Sequence, residues 1–85
     1  MEDKEITREV FGELLREKRK ANKLTQAQLA ENAGISENYL GKIERGIYHP
    51  LYGTGGKIID GLHMSHDLFW REFTERLENH KKNNK

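Results

Sequence analysis

Residues 25–46 read TQAQLAENAGISENYLGKIERG, and the reading of this stretch decides the fold. Its apolar set, Leu29, Ala30, Ala33, Ile35, Leu40 and Ile43, recurs at helical spacing. Thr25 and Ser36 each precede one of the two runs, where a hydroxyl can accept a hydrogen bond from a backbone N–H one turn on. Gly34 stands between the runs, where the chain must reverse and a residue with φ > 0 is easiest to place. The stretch therefore reads as two short helices joined by a tight turn. On the second helix, 36–45, the residues Glu37, Asn38, Gly41, Lys42 and Arg45 fall away from the apolar side. A supported helix that shows amide, carboxylate and cationic groups to solvent has the chemistry needed to read base edges in a DNA major groove.

Thirteen positions carry a resemblance: Arg19, Gln26, Leu29, Ala30, Gly34, Ile35, Ser36, Leu40, Ile43, Glu44, Arg45, Gly46 and Pro50. Together they resemble the helix-turn-helix of the phage-repressor-type DNA-binding family (Cro and lambda-repressor-like, or XRE-type). A weaker likeness runs from Phe11 to Phe69. The resemblance implies an all-α, five-helix lambda-repressor-like domain. It implies a transcriptional regulator, of repressor type, that docks helix 36–45 into the major groove of a palindromic operator on double-stranded DNA.

By that resemblance, base contacts fall to Glu37, Asn38, Tyr39 and Lys42. Asn38 can pair bidentately with adenine, and Lys42 can reach guanine acceptors or a phosphate. Glu37 can accept from a cytosine amino group, or serve only the helix dipole. Tyr39 packs on a thymine methyl or stays a half-buried surface aromatic. Gly41 leaves the middle of the face bare, with close helix packing as the other account of it. Phosphate contacts fall to Thr25, Gln26, Arg19, Arg45, Tyr48 and His49. The resemblance also implies a buried or half-buried Arg19–Glu44 ion pair that orients the recognition helix.

Outward from the motif, a helix is expected over 7–22, capped by Thr7, with Phe11 and Leu15 facing inward and Val10 and Leu14 flanking them. Lys23 stands where the family usually has glycine, so left-handed backbone is expected there. After a stop at Gly46 and Pro50, a fourth helix is expected over 54–62, capped by Thr54, short or irregular at its start because Gly55 and Gly56 fall in its first turn. A fifth follows Ser65 and runs to about Asn79. The expected organisation is one domain over 1–85, with tails at 1–6 and 80–85 around a core at 7–79. On the fifth helix, Leu68 and Phe69 project to one side, expected to be the core. Trp70, Phe73, Leu77 and His66 gather on another, read as the interface of a homodimer. The alternative is that this stripe folds back over the first helix.

Bulk composition bounds the rest. Charged residues make up 34% of the 85, yet the net charge is only +1, so distribution carries the nucleic-acid argument. Acids gather at Glu2, Asp3, Glu5, Glu9 and Glu13. Lys18, Arg19, Lys20 and Lys23 cluster just before the motif, followed by Lys42, Arg45 and His49. Such a dipolar surface can turn one side to a phosphate backbone. The absence of cysteine excludes disulfides and thiolate metal sites. No apolar run approaches the roughly 20 residues of a membrane span, and no signal peptide is visible. The expectation is a cytoplasmic protein, bacterial or encoded by a phage or plasmid, with no membrane partner and no evident small-molecule effector. Residues 53–57, GTGGK, lack the spacer and the following Ser or Thr of a phosphate-binding loop. His63 and His66 straddle the expected cap at Ser65 and do not make a metal pair. No nucleophile has a positioned base. Cofactor, metal and catalysis are therefore not expected. The competing class is a protein-interaction module, or an antitoxin-type partner-binding protein, on the same fold.

Overall fold

Phe11, Leu14 and Leu15 on the first helix are fully buried, and Leu29, Leu40, Ile43, Ile58, Ile59, Leu62 and Phe69 close around them from the other helices. The computed structural model describes residues 2–83. Met1 and residues 84–85, which fall in the expected tails, lie outside the described residues. The elements are α1 (Glu2–Ala21), α2 (Gln26–Ala33), α3 (Glu37–Glu44), α4 (Tyr52–Gly61) and α5 (His66–Asn83). Helix α1 packs on both α3 and α5, and α4 lies against α2 and α5. The five-helix, all-α expectation holds.

The central motif folds as its sequence dictates. The Thr25 hydroxyl accepts from the Gln28 N–H at 3.1 Å, and the Gln28 side chain accepts from the Thr25 N–H at 2.9 Å. This reciprocal box satisfies two otherwise unpaired donors. Gly34 takes φ 74° and ψ 29°, and the Ile35 N–H returns to the Ala30 carbonyl at 3.0 Å, closing α2 in a left-handed cap. Ser36 then accepts from the Tyr39 N–H at 3.0 Å to open α3. Lys23 adopts φ 58° as expected, at a backbone cost of about 1 kcal/mol. Gly12 lets α1 and α3 approach until a Cβ on it would lie 2.6 Å from the Ile43 and Glu44 carbonyl oxygens.

Elsewhere the boundaries and faces differ from expectation. Helix α1 begins at Glu2, so Thr7 is an interior residue and not a cap. No proline or glycine interrupts 2–6, and half-buried Ile6 anchors that turn on the core. Helix α4 begins at Tyr52, with Leu51 as an N-cap that offers no side-chain bond, and Thr54 sits inside it. The start is regular despite Gly55 and Gly56. Buried Pro50 leads the chain in, and a Cβ on Gly55 would meet Pro50 and Trp70 at ordinary contact distance, 3.8 Å. The far end of α4 is tied from outside: Asn22 donates to the Leu62 carbonyl at 3.1 Å and Asn32 to the Gly61 carbonyl at 3.3 Å.

Helix α5 runs on to Asn83, beyond the expected end. Ser65 accepts from the Leu68 N–H at 3.3 Å, as expected of a cap. The faces of α5 are a correction. Leu68 is 44% exposed, whereas Phe73 is a core residue at 8%. The Phe11 ring lies 5.5 Å from Phe69, 5.9 Å from Trp70 and 5.6 Å from Phe73. One aromatic from α1 thus draws the Trp70–Phe73 stripe back onto the domain. Trp70 and Leu77 remain half-buried against that cluster. Lys18–Glu72 at 3.0 Å and Arg76–Glu17 at 2.7 Å lace α1 to α5. Among the described residues, no helix is long and apolar enough to cross a membrane.

Candidate nucleic-acid interface

Helix α3 buries Leu40, Ile43 and Glu44 and leaves Glu37 and Asn38 exposed, with exposed Arg45 as its C-cap. A buried charge network fixes its orientation. Arg19 on α1 grips Glu44 with two bonds, Nε to Oε2 at 2.7 Å and Nη2 to Oε1 at 3.0 Å. Its remaining nitrogen donates to the Leu24 carbonyl at 2.9 Å. The planar fork matches the carboxylate, and the extra donor is satisfied, which offsets the desolvation of two charges. The same Glu44 Oε1 accepts from Gln26 Nε2 at 3.0 Å. Gln26, at the start of α2, is therefore held at a set angle beside α3. Sequence reasoning did not find that tether; polar residues near the ends of three separate helices, far apart in the chain, carry no signal of it.

The expected site residues separate into groups. Gln26, Glu37, Asn38 and Arg45 line one polar depression of about 340 Å³ with Gly41 at its floor. Gly41 is not the bare centre that the sequence suggests. It is buried, because Arg45 and Gln26 fold over it. Tyr39, Lys42 and Tyr48 form a second group at the edge: the Lys42 ammonium sits 5.7 Å from the centre of the Tyr48 ring, and Tyr39 and Tyr48 lie 6.1 Å apart. The Thr25 hydroxyl is engaged in its cap, and Arg19 is buried behind α3. His49 stands apart. It meets Phe11 edge-on at 4.9 Å and stacks on Phe73 at 6.2 Å. Burial first, and the Arg8 charge second, push its pKa below the ordinary 6.5, so at neutral pH it is uncharged. Arg8 in turn donates to the Gly46 carbonyl at 3.3 Å, steadying the loop after α3. Of the basic cluster before the motif, Lys18 is paired with Glu72, while Lys20 and Lys23 are exposed. His66 of the expected dimer stripe bonds Asp60 at 2.7 Å.

This arrangement agrees with what the chain is similar to. A family model described as helix-turn-helix matches residues 15–69. The chain belongs to the helix-turn-helix family, of phage-repressor type. Over 43 residues it is 49% identical to an immunity repressor protein of Bacillus phage phi105, covering 51% of this chain and 30% of the phage protein. It is 33% identical to the restriction-modification controller protein C.AhdI from Aeromonas hydrophila, with a TM-score of 0.67 over 68% of this chain and 88% of that one. The controller protein C.Esp1396I, solved as a tetramer in complex with its natural 35 base-pair operator, matches in fold at a TM-score of 0.78 and 20% identity, over 84% of this chain and 93% of that one.

Proposed function

We propose that this protein is a sequence-specific DNA-binding transcriptional regulator, acting in the cytoplasm of a bacterium or of a phage's host. The reading rests on one observation: the exposed polar face of α3 is locked in place by the buried Arg19–Glu44 pair. A rigid helix with exposed amide, carboxylate and guanidinium groups loses little freedom on entering a major groove. The Gln26 amide and the start of α2 set the register on the phosphate backbone. The similarity to a phage immunity repressor and to controller proteins, one of them solved in complex with its operator, supports the same reading.

The operator is palindromic and the regulator a homodimer, with recognition helices about one DNA turn, 34–36 Å, apart. Phe73 is occupied within the monomer, so the surface offered to a second copy is narrower than the full α5 stripe. It comprises the outer sides of Trp70 and Leu77 together with Leu51 and Tyr52, which are 80% and 85% exposed and follow Pro50, a residue that, like Trp70, lies 3.8 Å from a Cβ built on Gly55. Sedimentation at tens of micromolar tests this. A dimer that Tyr52→Lys dissociates supports it, and a wild-type monomer overturns it.

The DNA reading is tested by enrichment of bound duplexes from a random pool, followed by affinity at two salt concentrations. A defined palindrome whose affinity falls by several decades from low to moderate salt is the expected result. Absence of duplex binding even at low salt would favour the interaction-module class instead.

A further inference from the structure

We infer that Arg45 reads a guanine in the groove, and that Gly41 makes this possible. The inference rests on the DNA-binding reading above and assigns to Arg45 a different role from phosphate anchoring. Successive residues on an α-helix turn by about 100°. The exposed arc of α3 runs from Glu37 to Lys42, and on that arc Gly41, Arg45 and Asn38 occupy the middle. A residue at the middle of a helix face that enters a groove meets base edges, whereas residues at its margins meet phosphates.

The side chain lies where this requires. A Cβ placed on Gly41 would sit 3.2 Å from Arg45 Nη1 and 3.6 Å from Gln26 Oε1. The guanidinium therefore folds back one turn along the helix, the direction helical side chains take, into space a side chain at 41 would fill. There it lines the polar depression with Gln26, Glu37 and Asn38. Arg45 makes no ion pair among the described residues. Lys42, the other cation of α3, is drawn to the margin by Tyr48. The centre of the face thus presents one planar fork of unpaired donors. The matching acceptor pair on a base edge is O6 and N7 of guanine, and a bidentate fork needs arginine, not lysine.

The test uses the full chain and the palindrome enriched by the wild type. Arg45→Lys and Arg45→Ala are each carried through the same enrichment. Both should abolish a guanine preference at one position of each half-site, with affinity for the wild-type palindrome down by about 10-fold or more. Replacing that guanine by 7-deazaguanine should weaken the wild type and leave Arg45→Ala unmoved. Gly41→Ala should keep or raise the melting temperature, since alanine favours helix and only the flexible end of Arg45 must yield. It should still weaken the guanine preference. If Arg45→Lys binds like wild type at every position, and Arg45→Ala weakens all sequences uniformly with a salt slope lower by about one, Arg45 is a phosphate anchor and the inference fails alone. If the wild type enriches no duplex at all, the DNA reading itself fails and takes the inference with it.

Discussion

The two halves of this small domain are held by different physics. From Thr25 to Gly46 the chain is fixed by local polar devices: two side-chain caps, left-handed glycines at 34 and 46, and a bidentate Arg19–Glu44 ion pair buried at 9% and 4% exposure. From Pro50 onward side-chain capping thins out. Helix α4 begins on an uncapped leucine and carries four glycines within Tyr52–Gly61, and α5 is held by an aromatic cluster on Phe11. Hydrogen-bond devices fix direction, because a bond made at the wrong angle is lost. Aromatic packing fixes proximity and tolerates adjustment. The half that must present a helix at a defined angle is the half built from directional bonds.

The comparison can be broken most severely at Arg19. Arg19→Ala leaves the Glu44 carboxylate buried with only Gln26 to answer it, and the expected loss is about 3–5 kcal/mol. For a domain of this size that is a large share of the total, and chemical denaturation should show it. Duplex binding should fall further than stability alone explains, because Gln26 and α3 lose the same anchor. The corresponding cut in the other half is Phe73→Ala. Loss of a nearly buried phenyl should cost about 3 kcal/mol. The cost should appear at concentrations too dilute for association. A variant that weakened only self-association would return Phe73 to an interface role.

Smaller effects sharpen the contrast. Thr25→Ala and Ser36→Ala should each cost about 1 kcal/mol, the worth of a cap. Thr54→Ala should be near neutral, because no cap bond is made there. Equal costs at all three would mean that α4 is capped after all and that the halves differ less than argued.

How far the sequence told this story follows the same divide. Thr25, Gly34 and Ser36 were legible because their roles are set by neighbours one turn away, and Lys23 because the family that the sequence resembles usually has glycine there. The Arg19–Glu44 pair was legible through resemblance. The start of α4 was not, because Leu51 carries no capping signal and two glycines argue against a helix that tertiary contacts with Pro50 and Trp70 nonetheless support. On α5 the expected sides ran against the spacing: at about 100° per residue Phe73 falls about 40° from Phe69, whereas Leu68 falls about 100° from it on the other side. The partner on the Phe73 side is Phe11, 62 positions from Phe73 in the chain. At the site, the residue types of α3 were legible, but the folding of Arg45 over Gly41 depends on side-chain direction, which spacing does not encode.

The smallest effect expected lies at the seam between the halves, where His49 of the loop after α3 meets Phe11 edge-on and stacks on Phe73. Burial first and Arg8 second lower its folded pKa below 6.5. The unfolded chain, with an ordinary histidine, therefore takes up this proton at a higher pH than the folded one. Above pH 6.5 both states are neutral and the contribution is fully present. As pH falls through 6.5 toward the lowered value, the unfolded state gains the proton first and stability declines. Below the lowered value the loss levels off. Thermal melts from pH 7.5 down to 5 should show this decline in the wild type, and in His49→Gln it should be shallower over the same window. The side chain is exposed enough that the slope is small. Its presence would still mean that the loop on the recognition side and the aromatic cluster share one proton-sensitive contact, whereas identical pH profiles would detach the loop from that cluster.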